Sequence, residues 1–554
     1  MTTRQTRMPL SRTLSTTAPV VPALLLALLV GGCYPVQPRT EPPERPDETS
    51  VSAEGVALRE GGDLVMGLSA DPDQLDPTTS SSLYTRYVMS SICEKLYDID
   101  DEGTIVPQLA TELPELDDGG RTVRIPLRDG VRFADGTPFD ADAVRTSLER
   151  HLTKDDSARA SEMGPVEEVA AVDDRTVELR YETPFAPITA SLADRAGMIM
   201  SPRALDELGD DFGNNPVCVG PFKFTERVPA TSIRVEKDPG YYAADEVNLD
   251  TITYRIMTDA NIRAANLRSG DVQVIDSASP TSIESLLREP DIGLLQVASL
   301  GYQGITFNVG NVDGVGEKPG RIDSPLAEDR RVREAFELSL DREALVNSVF
   351  DNWFEPACSP ISPDSEFATD ASNACPPYDP ARSRELLAEV GLEAPVTLLM
   401  RVSNTPDTLR LAQAIQGSVS KGGFEIEIEP VEYTTLLDAQ ARGDFQLLQL
   451  GWSGRIDPHG NMYAFLATAQ SNNYSGYSDP EVDKLLDKAA RQVDTDERAE
   501  TYGEVVELLQ RDDPLVYLYR QRNLTAFSHD IAGVATFADG VVRLSRAGFV
   551  EGDR

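Results

Sequence analysis

Strand-like and helix-like apolar periodicities interleave along a 554-residue chain. They keep no regular β-α-β cadence, and no period of roughly 20–50 residues recurs. Together these observations predict a mixed α/β protein of several subdomains rather than a single barrel, a solenoid or a propeller. The length suffices for at least two cores of roughly 100–200 residues each. A 40% hydrophobic content excludes a wholly disordered chain.

Taken in order, the N-terminus comes first. Arg4, Arg7 and Arg12 form a positive segment free of acidic residues, and an apolar run from Val20 to Val30 follows. At about a dozen residues the run is too short to span a bilayer and reads as the core of a signal peptide, residues 1–32. It ends in Val30-Gly31-Gly32-Cys33, which resembles a bacterial lipobox. Cys33 is therefore expected to be acylated, and buried methylenes at roughly 0.8 kcal/mol each would anchor the chain at a membrane surface. Residues 33–61 contain Pro35, Pro38, Pro42, Pro43 and Pro46 among polar residues and are expected to form an extended tether.

Leu64–Leu68 alternates as a strand, and Tyr84–Leu96 has helical spacing. Thr122–Leu127 reads as a strand, with Pro126 favouring an edge position. Asp140 is the expected N-cap of a helix to His151. Asp379-Pro380 and Asp479-Pro480 each open a helix, since Pro suits the first helical turn and Asp the cap before it. Between them, Ile426–Glu429 alternates as a half-buried strand.

Apart from Cys33, four cysteines remain, with three possible pairings. Cys358 and Cys375 flank a Pro/Ser/Asp-rich loop whose closure is worth roughly 3 kcal/mol. Pairing them leaves Cys93 with Cys218. The alternative is four buried thiols.

Composition narrows function. Asp plus Glu outnumber Lys plus Arg by 92 to 51, a net charge of −41, so such a surface repels phosphate backbones and nucleic acid is not an expected partner. Only His151, His459 and His529 are present, which argues against a histidine-rich metal centre, and no cofactor is expected. Catalytic motifs fail one by one. Gly451-Trp452-Ser453-Gly454-Arg455 lacks the last glycine of a nucleophile elbow. Gly314 to Gly320 has one residue too many for a dinucleotide loop. Asp98-x-Asp100-x-Glu102-Gly103 imitates a calcium loop, but its twelfth position is Leu109 rather than a bidentate Glu. A binding protein is expected, not an enzyme.

A family resemblance completes the reading. Ala70-Asp71-Pro72-Asp73-Gln74-Leu75-Asp76-Pro77, Glu94-Lys95-Leu96-Tyr97-Asp98 and Leu127-Arg128-Asp129-Gly130-Val131-Arg132-Phe133-Ala134-Asp135-Gly136-Thr137-Pro138 stand in the order of the family 5 extracellular solute-binding proteins. So do Gly220-Pro221-Phe222, Ser339-Leu340-Asp341-Arg342, Gly451-Trp452 and Tyr477-Ser478-Asp479-Pro480. The chain resembles this family over roughly residues 62–545.

The resemblance implies a two-lobed periplasmic-binding-protein-like type II α/β fold that closes on its ligand by hinge rotation. Lobe I would comprise residues 62–91, 216–299 and 520–554, with an inserted subdomain at 92–215. Lobe II would be 300–519, and the crossings would fall near Tyr302–Asn308 and Val516–Arg520. It further implies a monomeric, extracytoplasmic receptor of an ABC importer, delivering a peptide or peptide-like solute to permease subunits and their ATPases.

The family's amine-binding Asp corresponds to Arg455 here, and its carboxylate-binding Arg to Arg401. Two guanidiniums facing one cleft would suit an anionic solute; otherwise Arg455 turns away to pair with Asp457 or another acid. Trp452 is expected on the cleft wall, and Tyr84, Arg86, Tyr302 and Asn308 near its mouth or hinge. An enzyme on this scaffold, or a peptide-sensing lipoprotein without a transport role, remain the other readings.

Overall fold

The computed structural model describes residues 45–552. The expected signal peptide, Cys33 and the first part of the tether lie outside them. Glu48, Val51 and Leu58–Arg59, which fall within the expected tether, are held by the body. Glu48 pairs with Gln296, the Val51 amide donates to the Val534 carbonyl at 2.8 Å, and strand Leu58–Arg59 pairs with Gly548–Val550. Free edge groups of the body capture this stretch, which composition alone marked as unable to fold.

Strand Asp63–Leu68 lies inside a seven-stranded sheet, parallel to both neighbours, Thr251–Ile256 and Val274–Ile275. Its Leu64, Met66 and Leu68 are fully buried, as the alternation requires. A second, six-stranded sheet contains Tyr302–Phe307, Val396–Ser403, Phe424–Val431, Leu447–Trp452 and Leu515–Arg520. A third sheet of four strands, spanning Glu115 to Tyr181, carries helix Ala141–Thr153. Strand Thr122–Pro126 is internal to it, contrary to the edge position expected from Pro126. The outer strand Glu115–Asp117 pairs only as far as Arg124, so the proline ring escapes that ladder.

The helix starts follow the caps. Asp140 accepts from the Ala143 amide at 3.0 Å, Asp379 from Ala381 and Arg382, and Asp479 from Glu481 and Val482. The helix expected over Tyr84–Leu96 runs Leu83–Ile92, because Cys93 turns extended and pairs with Cys218. Cys358 pairs with Cys375.

The two large sheets share a hinge. Strands Ile292–Ala298 and Arg522–Ser528 pair in the first sheet, and Tyr302–Phe307 and Leu515–Arg520 pair in the second. The chain therefore crosses at residues 299–301 and at Gln521, slightly outside the intervals expected. Among the described residues no helix is long and apolar enough to cross a membrane.

Beside this frame, Glu94 is buried and accepts hydrogen bonds from the Tyr241 and Tyr242 hydroxyls at 2.5 and 3.1 Å. Burial pushes its carboxyl from 4.5 up to about 7, against those two bonds. The folded state then holds this proton more tightly than the unfolded chain, so its contribution is lost as pH rises from 4.5 through 7. Glu94→Gln should flatten the decline by about 3 kcal/mol over that window. Urea unfolding at pH 4.5 and 8 checks this; parallel losses in both proteins would refute it.

Candidate functional site

Where the hinge strands leave the two sheets, a cavity opens between them. One wall carries Ser69, Tyr84 and Ser277, and the opposite wall Gln303, Gln449 and Tyr433. A second cavity continues from it through Tyr84, Gln303 and Tyr433 to Trp452 and Tyr302. The lining is mainly amide, hydroxyl and aromatic.

The amides form a relay across the hinge. Gln449 Nε2 donates to Gln303 Oε1 at 3.4 Å, and Gln303 Nε2 donates to Gln521 Oε1 at 3.3 Å. Each sits in an otherwise apolar strand or at its end, so its polar head has only the cavity and its neighbours to bond. Tyr84 and Tyr433 meet edge-to-face at 5.2 Å, one from each wall. Burial pushes the Tyr84 hydroxyl up to about 12, and it shares a 3.2 Å hydrogen bond with Ser69.

Beneath Ser69 and Ser277 lies Asp276, fully buried. Ser69 Oγ donates to its Oδ2 at 2.5 Å, while Oδ1 has no hydrogen-bond partner among the described residues. Burial raises its carboxyl pKa, against the pull of Arg263. The cations nearby are committed. Arg263 donates to the carbonyls of Met257, Thr258, Asp276 and Ser277 and its Nε lies 3.8 Å from Asp276 Oδ1 as a buried ion pair, and Arg522 pairs with Asp47.

The structure places Trp452, Tyr302 and Tyr84 on the cavity wall. Trp452 Nε1 donates to Asn461 Oδ1 at 3.0 Å, which fixes the ring. Five other expected residues belong elsewhere. Arg401 alternates with the inward Met400 and Val402, so it projects from the opposite face and pairs with Glu429 at 2.7 Å and Asp444 at 2.9 Å. Asn308 donates to the carbonyls of Asn311 and Gly443 and shapes a loop. Asp457 holds Arg498 in a two-pronged pair, both contacts at 2.8 Å.

Arg455 and Arg86 converge instead on Asp194. Arg455 Nε lies 2.6 Å from Asp194 Oδ2, and Arg86 contacts Asp194 and Asp539, each at 3.0 Å. The Arg455 guanidinium also covers the Trp452 ring at 4.2 Å. Burial pulls the Arg455 pKa down to about 10 despite Asp194. Burial would raise the Asp194 carboxyl, but Arg455, Arg86 and Arg195 hold it well below the ordinary carboxylate range. The second sheet's lobe is thereby joined to the inserted subdomain and to the first sheet's lobe. The pair of cleft guanidiniums expected from the resemblance is therefore absent, because each already has its acid.

Gln303, Gln449, Asp276, Asp194 and Tyr433 escaped the sequence reading. Lone glutamines inside apolar strands, and an Asp closing the apolar Val274-Ile275 pair, were the available signals.

The description "Bacterial extracellular solute-binding proteins, family 5 Middle" matches residues 104–473. The chain belongs to this family. The glutathione-binding protein GsiB of Pectobacterium atrosepticum is 26% identical over 501 residues, covering 88% of this chain and 94% of that protein. GsiB of Salmonella paratyphi A is 28% identical over 483 residues, covering 85% and 91%. Among solved structures, the PBP AgaA from A. tumefaciens R10, in complex with agropinic acid, superposes with a TM-score of 0.79 at 25% identity, covering 89% of this chain and 99% of that one. The oligopeptide-binding protein AppA of Bacillus subtilis, bound to a nonapeptide, reaches 0.81 at 23% identity over 89% and 100%, a likeness of fold. The solute-binding protein thus has the two-lobed fold, and its relatives are binding proteins rather than enzymes.

Proposed function

We propose that this solute-binding protein is the extracytoplasmic receptor of an ABC importer, closing on a peptide or peptide-like solute and handing it to permease subunits driven by their ATPases. The lipobox-like segment at Cys33 supports a lipid-anchored receptor that works as a monomer at the outer face of the membrane.

The observation that carries the peptide reading is the row of amide side chains on the cleft wall. Gln303, Gln449 and Gln521 line the cleft and bond to one another, while Arg263 and Arg522 are held by Asp276 and Asp47. The Gln449–Gln303–Gln521 relay supplies donors and acceptors suited to peptide amides.

Native mass spectrometry of protein purified from an oxidising compartment tests this. Co-purified masses should resolve into peptides with a free α-amino group. Gln303→Leu should cut their occupancy about tenfold, the worth of the hydrogen bonds that its amide offers a peptide. A single anionic compound retained equally by both proteins would overturn the peptide assignment and leave the family intact.

A further inference from the structure

Away from the cleft, and sharing no lining residue with it, lies another cavity. One wall belongs to the inserted subdomain, with Ser161, Gly164 and Phe185. The other carries His459 and Tyr463 from helix His459–Leu466, and Asp487 from helix Pro480–Arg491. The walls touch beside the cavity. The Ala186 amide donates to the Ala490 carbonyl at 2.9 Å, and the Ser161 and Ser471 hydroxyls lie 3.4 Å apart. Gly164 has φ +68°, and a Cβ there would fall 2.6 Å from the Phe185 ring, so glycine is what lets that ring occupy its place.

His459 sets the chemistry. Its side chain is buried, with 3% of the residue exposed, yet neither ring nitrogen has a hydrogen-bond partner among the described residues. Tyr463 stacks on the imidazole at 4.6 Å, and Phe185 meets it edge-on at 5.2 Å. Burial lowers its pKa to about 4, aided by Arg498 and opposed by Asp457. The neutral ring presents one donor and one acceptor. A buried polar side chain without a partner is uncommon in folded proteins and calls for an explanation. Here it borders a cavity with aromatic flanks, and the charged Asp487 and Arg491 complete its lining.

We propose that this cavity binds a small, planar, uncharged heteroaromatic molecule whose edge pairs with His459 and which packs beside Phe185 and Tyr463. The walls come from the inserted subdomain and from the second sheet's lobe, which hinge opening would separate. An occupant therefore binds the closed arrangement, and by reciprocity it tightens closure on the cleft solute.

The test uses 5-fluorouracil, a planar neutral probe with adjacent donors and acceptors, observed by its fluorine resonance with the full-length protein at pH 6.5. Saturable broadening is expected, weakened at least tenfold by His459→Leu. Ser161→Phe, which fills the cavity without touching the imidazole, should weaken it as much. Gln303→Leu, in the main cleft, should leave it unchanged. Broadening that is absent at millimolar probe, that survives both cavity variants, or that disappears only in Gln303→Leu would overturn the proposal.

Discussion

Asp194→Ala should destabilise the protein by about 3–5 kcal/mol, because it leaves buried guanidiniums without their counter-ion. The side chains of Arg455, Arg86 and Asp194 are only 9%, 5% and 7% exposed, so water offers little relief. Arg86 keeps Asp539, at 3.0 Å. Arg455 keeps only neutral partners, the Gly454 carbonyl at 2.8 Å and the Ser453 hydroxyl at 3.5 Å. The loss should therefore fall on the joint between the lobes. Small-angle scattering should show a more open particle, and denaturant unfolding a lower midpoint. Pairing Asp194→Leu with Arg455→Met should recover most of the stability, since apolar replacement of a buried ion pair is close to neutral. A loss below about 1 kcal/mol in Asp194→Ala alone would show that the joint does not depend on this charge.

Removing the Cys93–Cys218 bridge by double serine substitution should cost about 5 kcal/mol, against about 3 kcal/mol for Cys358–Cys375. The difference follows from loop length, since the bridges close intervals of 125 and 17 residues. The longer bridge restricts the unfolded chain more and ties the end of helix Leu83–Ile92 to the return from the inserted subdomain. Urea midpoints of the two double variants, measured under oxidising conditions, decide the matter. Equal losses would refute the loop-length account.

Local structure was largely legible in the residue pattern. Asp140, Asp379 and Asp479 start helices because an Asp side chain satisfies amides two or three residues ahead, whatever lies farther away. The alternation in Leu64–Leu68 determines which side chains enter the core. Ordered motifs across the chain were enough to indicate the family and its two lobes.

Partnership across long separations was not legible. Arg86 meets residues 108 and 453 positions away, and Ser453 at 367. Nothing local distinguishes Asp194 from the other acids as the one that captures Arg455. Arg401 was misplaced because strand alternation assigns side chains to two faces but does not say which face borders the cleft; the packing of the second sheet decides that. Tethering of residues 48–61 likewise depends on edge strands supplied by distant parts of the chain. Caps, alternation and turns arise from interactions within a few residues and can be read from sequence order. The charge state and orientation of Arg455, Asp276 and His459 are set by burial and by neighbours that only the tertiary fold brings within a few ångströms.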